Sequence, residues 1–288
     1  MQLVGRATVV GFGVGASAAF AYKYSKRSLL PSFMTDADTN TRAAAREAQS
    51  RELDGLLRQS APAMAEAAKR AAAECGALDV SCRRERAAAQ RSLADLKQRL
   101  RDASVAIAFG GQATADERDR YVAAHGCIAW TDEALATVAA RGPLVEIGAG
   151  DGQWAAALRK HASADVVAYD DGSALPSSGK TAAATTAAAV TRLDGAAAAA
   201  RHPDRALLLV APPPGPQAAR WLSAYKGDVV CYAGEGRAGA HANEEFFGAL
   251  ENGFRLAEKA ETLRPFPGGA EKLYILERKV SLRGVASG

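Results

Sequence analysis

Residues 144–155, Leu-Val-Glu-Ile-Gly-Ala-Gly-Asp-Gly-Gln-Trp-Ala, constrain this chain more than any other stretch. The apolar run at 144–147 reads as a short buried strand. Gly148, Gly150 and Gly152 follow on alternate positions, and an Ala-rich helix is predicted over 153–160. Alternate glycines at a strand-to-helix turn let the backbone bend sharply and leave room for a ligand where a Cβ would stand. Glu146 sets a carboxylate in the strand just before the turn. A second strand is predicted over 165–170, ending in Asp170. Its place, about twenty residues past the glycines, is where a doubly wound sheet puts an acid on a ribose diol. A plain turn at Asp170, Asp171 and Gly172 is the alternative.

The stretch resembles the Glu/Asp-x-Gly-x-Gly-x-Gly first motif of class I S-adenosylmethionine-dependent methyltransferases. The dinucleotide fingerprint G-x-G-x-x-G is the close rival, but here the third glycine comes one place too early for it. A carboxylate ahead of the loop also suits a ligand with a cationic amino-acid end better than a pyrophosphate. The order from Asp132 to Lys279, including Pro212-Pro213-Pro214, Tyr-Lys-Gly-Asp at 225–228 and Gly-Glu-Gly-Arg at 234–237, resembles a little-characterised family of methyltransferase-like proteins, and a methyltransferase-like domain is expected over 113–280. The resemblance implies an α/β fold, a Rossmann-like sheet whose last strand is antiparallel. It implies S-adenosylmethionine as cofactor, held by Glu146, Gly148, Gly150, Gly152 and Asp170, with Asp194 reaching the adenine amino group.

Other elements of this region follow from pattern. Helices are predicted over 116–124 and 132–140, the second capped by Thr131. Between them Trp130 either stacks near a cofactor or fills the core. Residues 172–189 are low in complexity and read as a loop with a weak helix; a third strand is expected over 188–193 and a helix over 196–201. The run at 206–211 is a buried strand that enters the triple proline. This turn resembles the Asp/Asn-Pro-Pro-Tyr motif of amino-methyltransferases, with Ala211 in place of the Asp or Asn. The group that would hold an amine near the methyl is therefore missing. A helix over 217–225, a strand over 229–233, a helix capped by Asn243, and two strands over 254–262 and 272–279 complete the domain. Glu235, an acid at a strand's carboxyl end between two glycines, is the first candidate for a catalytic base or substrate clamp. His241, titrating near neutrality, is the second. The alternative for both is a loop residue facing water.

The net charge of +4 is unevenly placed: residues 41–101 hold the basic excess, and 102–288 are slightly acidic. That balance argues against a nucleic-acid partner. Residues 41–112 are Ala/Arg/Glu-rich and read as a helical segment, with a break or a helix's first turn at Pro62 and a second break at 76–81. A hairpin packed on the domain is expected, with a protein partner as the alternative. Cys75 and Cys82 flank the second break; a bridge is open to them in an oxidising compartment, but two buried thiols are expected. No Cys or His spacing suggests a metal site. Residues 1–40 form an N-terminal unit and linker, and 281–288 a tail. No acid occurs in 1–35, and 7–22 are apolar or small throughout. At about 1.5 Å per residue that run reaches a ~30 Å hydrocarbon core only with Leu3 included and Arg6 snorkelling. A membrane anchor, an organellar presequence and a cleaved secretory signal all remain open, with a mitochondrial membrane the expected location.

Overall fold

The computed structural model describes residues 34, 39–75, 79–109, 113–173, 190–260 and 262–279. Its helices are α1 (Thr39–Ala71), α2 (Val80–Phe109), α3 (Ala115–His125), α4 (Asp132–Ala139), α5 (Gln153–Ala162), α6 (Gly195–Arg201), α7 (Gln217–Ala224) and α8 (Glu244–Gly253). Its strands are β1 (Leu144–Ile147), β2 (Val166–Asp170), β3 (Val190–Arg192), β4 (Ala206–Val210), β5 (Val229–Gly234), β6 (Phe254–Ala260) and β7 (Lys272–Arg278).

The strands form one sheet in the order β3-β2-β1-β4-β5-β7-β6. The first five run parallel, and β7 runs antiparallel to both β5 and β6. This is the sheet that the resemblance implies. β1 is buried along its whole length, Glu146 included, and the unbroken apolar run of β4 follows from burial on both faces. Side chains alternate between those faces. Val145, Leu207, Leu209, Val230 and Tyr232 pack with Leu222, Phe246 and Leu250 of α7 and α8. Leu144, Leu208, Cys231 and Ile275 pack with Leu135, Trp154 and Leu158 of α4 and α5. The result is a three-layer sandwich with α6, α7 and α8 on one side and α4 and α5 on the other.

Local signals set the helix starts. Thr114 and Glu117 form a capping box on α3, Thr131 caps α4 and Asn243 caps α8. The predicted strands recur with ends moved by a residue or two; the third is seen at Val190–Arg192, and 188–189 lie outside the described residues. The loop and weak helix expected at 172–189 fall, from 174 on, outside the described residues.

Two expectations for the helical segment are corrected. Pro62 does not break α1, which runs through it for 33 residues, about 50 Å. An interior proline costs about 3 kcal/mol. α1 absorbs this because it pairs with α2 on both sides of Pro62: Leu56 and Ala103 line one groove, and Cys75 meets Cys82. The cysteines are not thiols but a disulfide, with Cα atoms 5.6 Å apart. Asp79 starts α2 by accepting the Cys82 N–H at 2.8 Å, which brings Cys82 back beside the end of α1.

The open end of this hairpin rests on the sheet domain. Phe109 meets Phe266 edge-on, Arg118 lies over both rings, and Asp102 accepts the Ala115 N–H at 2.6 Å. No helix among the described residues is long and apolar enough to cross a membrane. The anchor, presequence and signal readings all fall on residues 1–27, outside the described set.

Candidate functional site

The glycine turn lies at the carboxyl end of β1. The strand order reverses there, since β1 is followed by β2 on one side and lies against β4 on the other. Ligands of open α/β sheets gather at such a point. Gly148, Gly150 and Gly152 all have positive φ, so each glycine is needed for the bend itself. Backbone bonds from Gly148 and Ala149 to the Tyr169 carbonyl, at 2.9 and 3.1 Å, tie the turn to β2.

Glu146 is buried in β1. Its carboxyl accepts the Ala155 N–H in the first turn of α5, where Gly152 has no side chain to cap the helix. Oε2 has no partner among the described residues. Burial pushes the carboxyl up to about 8, against the pull of the Ala155 N–H and the Arg159 charge; Asp170 adds to the rise. At neutral pH the group is mostly protonated. A cation arriving at the turn would draw it toward the charged form.

Asp170 ends β2 and spans the turn. Oδ2 accepts the Gly150 N–H at 2.9 Å, and Oδ1 accepts the Gly172 N–H at 2.7 Å. Each oxygen keeps a further lone pair for a hydroxyl. Glu146, Gly150 and Asp170 thus come together as expected. A Cβ on Gly150 would meet nothing within 4 Å, so this glycine faces open space. Gly148 differs: a Cβ there would stand 3.1 Å from Trp221 Cη2 of α7, so that glycine serves internal packing. Asp194 caps α6 by accepting the Ala197 N–H at 3.0 Å, and its other oxygen lies 4.0 Å from Arg220. Trp130 joins His125 and Trp154 edge-on, with ring centroids 5.3 and 5.8 Å away.

The turns after β4 and β5 hold three non-glycine residues at positive φ: Ala211, Ala238 and Ala242. Such backbone costs roughly 1–2 kcal/mol per residue and is kept where its surroundings enforce it. The Ala211 N–H donates to the Ala233 carbonyl, and the Ala242 N–H to the Pro212 carbonyl. The two turns therefore brace each other.

Glu235 and His241 meet in the second turn. The Glu235 N–H donates to His241 Nδ1 at 3.2 Å. Neither is a loop residue facing bulk water. Arg46 of α1 donates from Nη2 to both Glu235 oxygens at 2.8 Å, and the N–H groups of Ala240 and Ala270 donate to the same carboxylate. Burial alone would raise the Glu235 carboxyl; Arg46, His241 and the two N–H groups outweigh it and hold the acid below its ordinary range. Burial pushes His241 down to about 4. It is therefore neutral at pH 7, not a group titrating near neutrality.

Sequence reasoning missed Arg46 and Glu271. Arg46 stands 189 positions before its partner, with no local signal. Glu271, just ahead of β7, reads as an ordinary turn acid but is buried, and its Oε2 has no partner among the described residues. Burial raises its carboxyl, and the Glu235 charge raises it further.

No protein-family model matches the sequence, and no curated protein matches it. Solved structures with some likeness include TrmN from Thermus thermophilus, at 17% identity over 51% of this chain and 48% of that one, TM-score 0.34. Another is the mitomycin 7-O-methyltransferase MmcR, at 13% identity over 83% and 73%, TM-score 0.35. Human N-acetylserotonin methyltransferase in complex with SAM follows at 11% identity over 77% and 67%, TM-score 0.30. The chain spans about half the length of TrmN.

Proposed function

The chain has a class I methyltransferase-like fold, and from that premise we propose that it is an S-adenosylmethionine-dependent methyltransferase. The observation that carries this reading is the juxtaposition of Glu146, Gly150 and Asp170 around a turn open to a ligand. The cofactor supplies an activated methyl group when bound. The chain's part is to orient it. Asp170 accepts the ribose hydroxyls, Gly150 lets the backbone approach, Glu146 faces the cationic amino-acid end, and Asp194 serves the adenine edge. A small molecule or a protein is favoured over nucleic acid as acceptor, given the acidic balance of residues 102–288.

Asp170→Ala tests the ribose contact. The expected loss in S-adenosylmethionine affinity is about 1.5–3 kcal/mol, the range for a hydrogen bond to a charged group. Calorimetry with methionine, which lacks the ribose, should show no such loss. An equal loss for both ligands would mean that Asp170 only braces the turn.

A non-catalytic, membrane-tethered subunit is the second reading. It is favoured by the turn Ala211-Pro212-Pro213-Pro214, which offers no polar side chain to an amine. Under either reading residues 1–27 attach the protein to an organellar membrane, with the mitochondrion favoured, and the helices at 41–102 are open to a protein partner. Full-length protein should resist an alkaline carbonate wash, and a version starting at Ser28 should not. Equal release of both would sink the attachment.

A further inference from the structure

We infer that the pocket around Glu235 is a binding site for a guanidinium or ammonium group, filled in this chain by its own Arg46. The inference rests on the methyltransferase reading for its purpose, since it gives the acceptor side a cationic handle. β5 lies two strands from β1. At about 4.8 Å per strand the pocket is roughly 10 Å across the sheet from the glycine turn.

The pocket is built without Arg46. Ala240 and Ala270, from the loops on either side, fix the Glu235 carboxylate through their N–H groups. Glu271 brings a second buried carboxyl, with one oxygen that has no partner among the described residues. Removing Arg46 would leave the Glu235 carboxylate without its bonded cation, so the site is prepared for positive charge. Arg46 uses one nitrogen for both oxygens, a contact that an ammonium can also make.

The occupant is also placed to leave. The Arg46 side chain is 33% exposed against 3% for Glu235, so the cation enters from the solvent side. Among the other described side chains of α1, Ala67, more than five turns along, is the buried one, and the helix packs on α2. A buried ion pair offsets its attraction with desolvation, so its net hold is small although an unpaired acid would be costly. A competing cation can therefore take the place of Arg46 while the hairpin keeps its contacts through α2.

The test uses full-length Arg46→Ala. Its unfolding temperature should fall by several degrees and recover at least half of that loss in millimolar guanidinium chloride, in a saturable way. Sodium chloride at equal ionic strength should not restore it, and wild type should not respond. Arg46→Ala with Glu235→Gln should show no recovery. Arg46→Lys, which keeps the charge if the alanine variant fails to fold, should be intermediate in stability. Recovery by sodium chloride alone, recovery in the double variant, or Arg46→Lys no more stable than Arg46→Ala would overturn the site. S-adenosylmethionine affinity on the same samples separates the two ideas. Retained cofactor binding without guanidinium recovery defeats the pocket alone; absent cofactor binding in wild type defeats the methyltransferase reading.

Discussion

Glu146→Gln is expected to raise the unfolding temperature near pH 9 by on the order of 10 °C, while leaving it nearly unchanged near pH 4. The folded-state carboxyl is raised by burial from an ordinary 4.5 to about 8. Between those values the folded protein holds a proton that the unfolded chain has released. Stability from this group is thus fully present below the unfolded value and is lost as pH rises through the folded one, at about 1.4 kcal/mol per pH unit. The sum is a few kcal/mol. Glutamine keeps an oxygen for the Ala155 N–H and never ionises, so the fall disappears. The same change should weaken S-adenosylmethionine roughly 10- to 100-fold, because a neutral amide cannot balance a cationic ligand. Parallel unfolding curves across this range for wild type and variant would show that Glu146 is ionised in the fold and that the burial argument is wrong.

Gly150→Val should fold and should lose S-adenosylmethionine affinity by about 100-fold or more, some 2.7 kcal/mol. At φ +56 a branched residue is strained by about 1–2 kcal/mol, yet a Cβ there meets no atom within 4 Å. The added methyls therefore project into the ligand's space. Gly148→Val should behave oppositely. Its Cβ would stand 3.1 and 3.3 Å from the Trp221 ring, so the main loss should be in stability. Unfolding temperatures and binding isotherms on both variants check this. Unchanged affinity in folded Gly150→Val would remove the cofactor from this turn.

The sheet was legible because its signals are local. β4 is an unbroken apolar run, β1 is apolar but for Glu146, and Thr131 and Asn243 mark helix starts within three residues of the N–H groups they accept. The Glu146, Gly150 and Asp170 cluster was legible for the same reason, since a strand, a turn and the next strand carry all of it. Long-range pairing was not. Nothing near Glu235 announces that a guanidinium from α1 will reach it, and an acid between glycines looks like an exposed base. Gly148 looked like Gly150, because alternate glycines do not say which one faces a ligand and which one faces Trp221. Pro62 misled in another way: propensity argues for a break, and packing against α2 overrides it. The disulfide depended on Asp79 turning Cys82 back toward α1, a geometry that spacing alone does not fix.

Calorimetric titration of the full-length protein with S-adenosylmethionine and, separately, with NAD tests the cofactor assignment most directly. Saturable binding of S-adenosylmethionine at one site per chain, with no heat from NAD beyond dilution, is the expected result. Saturable NAD binding with none for S-adenosylmethionine, or a folded protein that binds neither, would contradict it.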